Sequence, residues 1–318
     1  MNYSLLSLNY WKTIGRITIR AAKNFMDDKC MKMSASLAYY SIFSIGPLLL
    51  IVIWLLGFFY GEHLEDSTAQ QEVLSGLSEV LGSEVAEQIK VAMGNLAIST
   101  QSKIGVLVGI GTLIFTSTTI FIEIQDSINT IWGIKPKPKK SWLKFIIDRL
   151  TSFSMVIGLG FLLITSLLIN SLLLILMNFF FEIIPGISNQ MLNNINVGLT
   201  FLITTTIFGF IYKVLPDAKV RNRDIIGGAV FTALLFMLGR FGISFYLENN
   251  ATANAFGAAG SIIILLLWVY YSAAILYYGA EFTKEYSFQF DKGIEPSPYA
   301  VLVDYKEVEY DPEENLEE

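Results

Sequence analysis

The run from Gly257 to Phe282 is apolar and long enough to cross a membrane, yet it carries Glu281 near its end. A carboxylate there either belongs to a site or marks where the bilayer stops. Glu123, Asp126 and Thr130 recur at spacings of three and four, the period of one helix face. Counted inward from Ile104 at 1.5 Å per residue, Glu123 lies about 28 Å along its helix, at an inner boundary. Lys213 ends a further apolar segment at the same level. Glu123, Asp126, Lys213 and Glu281 are therefore expected to form one inner ring. The ring is either a charge clamp holding helix ends together or a gate. A carboxylate near a helix C-terminus opposes the helix dipole, so Glu281 calls for a cationic partner, Lys213 or Lys284.

Arg240 is the one charge well inside a span, about 22 Å from its inner end. It either snorkels to the outer interface near Glu248 or lines a cavity that accepts an anionic headgroup. Pro47 falls about 15 Å into the first apolar segment and removes the hydrogen bond to the carbonyl of Phe43, with Ser41 and Ser44 beside it. Broken helices with free carbonyls at that depth form transporter sites, and they also occur as plain kinks. These residues suit binding or gating. No phosphate-binding glycine loop and no metal-ligand spacing is present. No catalytic residue, metal or cofactor is expected, and the protein is read as a non-enzyme.

The elements that must position these groups follow from composition. The chain of 318 residues is 53% hydrophobic and 16% charged, with a mean hydropathy of +0.53, outside the range of soluble proteins. A transmembrane helix needs about 20 mainly apolar residues. Six segments qualify: Leu37 to Tyr60, Ile104 to Phe121, Leu150 to Phe181, Ile195 to Tyr212, Ile225 to Leu247 and Ala255 to Ala280. Without period-2 alternation these are helices, not barrel strands. The expected fold is an all-α polytopic membrane bundle of six transmembrane helices, with an N-terminal interfacial amphipathic helix and a small extracytoplasmic helical hairpin. Among 22 Lys and Arg, all but Lys90, Lys103 and Arg240 fall on one side of this topology, which places both termini in the cytoplasm.

The domain plan has three parts. Residues 1–33 read as the interfacial helix, with Trp11, Ile14, Thr18, Ala21 and Phe25 along one face and Lys12, Arg16, Arg20 and Lys23 along another. Residues 34–290 form the membrane domain, with the hairpin over 61–103. Residues 291–318 hold ten carboxylates against two lysines and read as a disordered acidic cytoplasmic tail. Cys30 is the sole cysteine, so no internal disulfide can form, and it is expected on the cytoplasmic side.

"SASLAYYSIFSIGPLLL" (34–50), "SINTIWGI" (127–134), "KVLPDAKVRNRDIIGGA" (213–229) and the final run with its GAE resemble, in order, the YihY/virulence factor BrkB family. The resemblance covers about residues 20 to 285. It implies a six-span protein of the bacterial cytoplasmic (inner) membrane, and it carries an old label of ribonuclease BN. A nuclease needs a metal held by His, Asp and Glu, or a base beside phosphate-binding groups. His63 is the only histidine and sits on the outer side. The basic run "KPKPKK" (135–140) has no interleaved aromatic residues to stack bases. Nucleic acid is therefore not an expected partner. The expected partners are membrane lipids and a small solute or lipid substrate. Three functions remain: a carrier or translocator, which leads; a scaffold for envelope integrity; and a membrane-bound hydrolase.

Overall fold

The computed structural model describes residues 8–43, 87, 103–137, 189–249 and 258–303. Helix α1 (Leu8–Asp27) is amphipathic, and its apolar side is used inside the protein. Ile17 and Ala21 are buried against Phe282 and Tyr286, with Ile14 packed on the same cluster. Burying a side chain the size of Ile17 contributes about 1.5–3 kcal/mol. From Ile14 onward the stripe read from the sequence is thus taken up by protein, while Trp11, Ile19 and Met26 stay exposed. Helix α1 also ends before residue 33. Lys29 takes the left-handed conformation (φ 56°) and donates its N–H to the carbonyl of Met26 at 3.1 Å. Such a residue terminates a helix, and a side chain there costs about 1–2 kcal/mol. Helix α2 begins at residue 30 and is described to residue 43.

Helix α3 (Lys103–Ile131) contains the whole of the second expected span. It ends at Gly133, whose φ of 66° favours glycine; an added Cβ would also lie 3.1 Å from the carbonyl oxygen of Val303. Strand β1 (Ile134–Pro136) follows. Helix α4 (Asn189–Val214) stops just before Pro216, which cannot continue it. Strand β2 (Ala218–Lys219) leads into α5 (Asn222–Asn249), where Asp224 complements the positive end of the helix dipole. Helix α6 (Ala258–Phe290) completes the described bundle. Among the described residues three helices are long and apolar enough to cross a membrane, over Val197–Val214, Asn222–Gly242 and Ile263–Phe290. They match the fourth, fifth and sixth expected spans. The third span lies outside the described residues, as does the outward hairpin apart from helical Glu87 and Lys103.

Helices α5 and α6 run antiparallel and interlock through small residues. A Cβ on Gly228 would collide with Thr283, and one on Gly279 would collide with Thr232 and Tyr212. Each helix thus offers a glycine to the other's threonine, one turn apart, and the backbones close together as in small-residue membrane seams. The main core forms around this seam from Ile128, Ile131, Trp132, Tyr212, Ala229, Ala233 and Tyr277, joined by Cys30 and Leu37.

The C-terminal segment corrects the expectation of a tail disordered from residue 291. Strand β3 (Glu295–Pro296) pairs antiparallel with β2, and β4 (Ala300–Leu302) pairs antiparallel with β1. Beyond the ladders, Ser297 N–H reaches the Asp217 carbonyl at 3.0 Å and Val303 N–H the Gly133 carbonyl at 2.7 Å. The cause lies in local composition: Ile294 is buried, and residues 296–303 carry no charge, whereas the carboxylates cluster from Asp304 onward. Averaging over residues 291–318 hides that apolar stretch. Residues 304–318 lie outside the described residues. The loops after α3 and α4 and the chain after α6 therefore meet at one end of the bundle.

Candidate functional site

Helix α6 continues well past Ala280, so Glu281 is a mid-helix residue and not a terminal one. The expected opposition to the helix dipole does not arise, because that effect fades within the last turn. Tyr277, Glu281 and Lys284 follow at intervals of four and three and share one face. Tyr277 and Glu281 are wholly buried. Among the described residues neither Glu281 oxygen has a hydrogen-bond partner, and neither has the Tyr277 hydroxyl. The nearest salt-bridge cation is Lys284, whose Nζ lies 3.7 Å from Glu281 Oε2, beyond hydrogen-bonding distance. The same Nζ lies 3.7 Å from Oδ2 of Asp28, in the turn between α1 and α2.

Cys30, in the first turn of α2, closes the cluster and is itself buried. Burial pushes its thiol up to about 12, the nearby carboxylates of Glu281 and Asp28 push the same way, and Lys284 opposes them. On the α3 side, Ser127 lies against Tyr277, and Glu123, half-buried, is close enough for its charge to act on the same hydroxyl.

Around this cluster the other buried polar groups are matched. Asn129 and Asp217 exchange two bonds, Nδ2 to Oδ2 at 3.0 Å and the Asp217 N–H to Oδ1 at 2.9 Å. Trp132 Nε1 donates to the Ala280 carbonyl at 3.1 Å. The Tyr212 hydroxyl donates to the Leu276 carbonyl at 2.7 Å, and Ser287 donates to Asp224 at 3.0 Å. An unmatched buried polar group costs about 1–3 kcal/mol, more when charged. Among the described residues the fold satisfies these neighbours while no donor reaches either oxygen of Glu281.

The inner ring read from the sequence is only partly assembled. Lys213 is exposed and donates to the Val220 carbonyl at 3.0 Å, closing the α4–α5 turn, so it is no partner of Glu281. Asp126 is exposed, and the Thr130 hydroxyl bonds its backbone carbonyl at 2.8 Å. Glu281 remains, with Lys284 as the cation, while Glu123 stands near Tyr277. Arg240 sits far from them: its neighbour Gly239 packs on Tyr271, about 15 Å along α6 from Glu281. Its guanidinium carbon lies 5.9 Å from the ring centroid of Phe241, a cation–π distance. Pro47 and Ser44 lie outside the described residues. The sequence reading did not single out Tyr277, which its four-residue spacing from Glu281 could have found, nor the approach of Asp28 and Cys30, which arrive through the turn that Lys29 makes.

One helical turn from Tyr277 toward the middle of α6 lies a cavity of about 230 Å³, bounded by Leu37, Phe208, Phe236, Trp268, Ala273 and Leu276. Its polar contributions are the hydroxyls of Thr204 and Ser272, and Ser272 already bonds the Trp268 carbonyl at 2.8 Å. Such a space suits a hydrocarbon group. Among the described residues no three His, Cys, Asp or Glu side chains converge as metal ligands.

Long apolar helices packed through glycines, a paired cap at one end and an ionisable residue inside the bundle define an integral membrane protein built on helices. The chain belongs to the family described as Virulence factor BrkB, whose model matches residues 21–300. It is 26% identical over 297 residues to a UPF0761 membrane protein of Pseudoalteromonas translucida, covering 92% of this chain and 89% of that one. A UPF0761 membrane protein of Tolumonas auensis is 29% identical over 262 residues, 80% of each chain. One of Aeromonas salmonicida is 28% identical over 262 residues, covering 81% and 84%. No solved structure matches the chain.

Proposed function

We propose that the protein is a non-catalytic carrier that translocates a lipid or a small solute across the bacterial cytoplasmic membrane, with its capped, basic end and both termini in the cytoplasm. The supporting observation is Glu281, a carboxyl group wholly buried in the bundle with both oxygens unmatched among the described residues. An ionisable side chain in that position is costly to keep, and function is its usual reason. The apolar cavity above it favours a substrate with a hydrocarbon portion. The basic residues of the α4–α5 loop and of β1 lie at the capped end, in keeping with a cytoplasmic location.

A scaffold is the second possibility, and the matched pairs Asn129–Asp217, Tyr212–Thr232 and Ser287–Asp224 favour it, since they fix one packing. The two separate in cells lacking the protein. A carrier leaves its lipid or solute accumulated on one side of the membrane, and restoring the wild-type chain clears it. If no lipid or solute changes its distribution while the envelope weakens, the scaffold is the better account.

A further inference from the structure

The buried cluster leads outward, and the Asp28 carboxylate lies against Glu281 itself as well as against Lys284. Side-chain exposure rises from 0% at Glu281 through 22% at Lys284 to 36% at Asp28, and each step is a 3.7 Å ion-pair distance. Lys284 thus stands midway between two carboxylates, hydrogen-bonded to neither. In the other direction Tyr277 lies one turn from Glu281, and the next residue back, Leu276, lines the cavity. The charged and titratable groups facing Glu281 are Asp28 and Cys30 from the α1–α2 connection, and Lys284 and Glu285 from its own helix. Glu123 of α3 stands beyond Tyr277.

With no donor to Glu281 among the described residues, whatever satisfies its oxygens must stand between an ammonium group and a second carboxylate, that of Asp28. A metal cation is a poor fit. It needs about six oxygen ligands, and the Lys284 charge at 3.7 Å repels it. A proton needs a single lone pair. We infer that Glu281 is a proton-binding site of the bundle, loaded and unloaded from the capped end through Lys284 and Asp28. With Glu281 ionised, the ammonium of Lys284 is shared between the two carboxylates. When a proton arrives from water, an O–H bond forms on Glu281, the ammonium passes wholly to Asp28, and the charge of the three groups changes from −1 to 0. No other bond forms or breaks. The inference deepens the carrier assignment by naming its coupled ion, and it rests on that assignment only for the coupling.

Proton binding is measured without a substrate, by infrared difference spectroscopy of the full chain in lipid nanodiscs between acid and alkaline buffer. Wild type should show the carbonyl band of a protonated carboxyl group in apolar surroundings, displaced in D2O. Glu281→Gln should lose that band, Glu281→Asp should move it, and Asp27→Asn, an exposed neighbour of the cluster, should keep it. A band unchanged in Glu281→Gln overturns the inference. So does a Glu281→Asp spectrum identical to wild type, a comparison that still decides if Glu281→Gln fails to fold. Were the band lost while Glu281→Gln restored full cellular function, the proton site would stand and the carrier assignment would fall. An inactive Glu281→Gln with no such band in wild type gives the reverse.

Discussion

At the scale of single residues, the sequence marks Glu281 clearly, because a charge at the end of an apolar run is conspicuous, but it leaves the partner open between two lysines. Lys213 and Lys284 are equally placed by span counting. Only the extension of α6 beyond Ala280 and the role of Lys213 in the α4–α5 turn separate them. A double-mutant cycle tests this pairing. Melting of detergent-solubilised Glu281→Gln, Lys284→Met and the double variant should show a coupling of about 0.5–3 kcal/mol, as residues in contact do, while the Glu281–Lys213 cycle should be additive. Coupling to Lys213 alone would refute the cluster. Cys30 gives a second expectation. A cytoplasmic Cys30 is expected to escape an impermeant thiol reagent applied from outside, and its complete burial silences the thiol from either face. Its folded value of about 12 stands above the ordinary 9.0, so the protonated thiol stabilises the fold fully below about pH 9, and that contribution is lost as pH rises toward 12. The stability gap between wild type and Cys30→Ala should accordingly narrow through that window, and labelling should stay slow at pH 8. Rapid labelling of the native protein would show the site to be open.

At the scale of elements, the α5–α6 seam is the most specific feature of the packing. Gly228 and Gly279 each receive a threonine from the facing helix, so Gly228→Ala and Gly279→Ala should destabilise by about 1–3 kcal/mol through overpacking. Among the described residues nothing lies within 4 Å of where a Cβ on Gly242 would stand, and Gly242→Ala should be neutral or stabilising by about 0.4–1 kcal/mol. Equal melting of all three would show that the helices are not so close. The helices themselves were legible, since long apolar runs of α4, α5 and α6 permit little else. Their ends were less so: the last span continues beyond Ala280 because Phe282, Tyr286 and Phe290 find an apolar partner in α1, a tertiary contact that no local pattern announces. The seam left a trace in the sequence as paired small residues, but which glycine meets which threonine is set by the antiparallel register.

At the scale of the whole molecule, the capped end is a structure in its own right: two short antiparallel ladders bind the segment after α6 to the loops after α3 and α4, with Arg221 paired to Asp291 at 2.7 Å. This part was hidden in the sequence, because strands of two or three residues fall below any periodic signal and the acidic residues beyond them dominate the composition. Truncation after Val303 keeps every described strand pairing, whereas truncation after Phe290 removes β3 and β4 together. Only the shorter chain should lose several degrees of melting temperature, and equal losses would show that the ladders add nothing. The carboxyl group of Glu281 either works in transport or merely sits in the bundle. The most direct test is complementation of the deletion phenotype by Glu281→Gln at membrane abundance and melting temperature matched to wild type, since the change removes the charge and keeps the shape. Loss of function is the predicted result; full restoration of function would contradict the carrier assignment and leave Glu281 a structural residue.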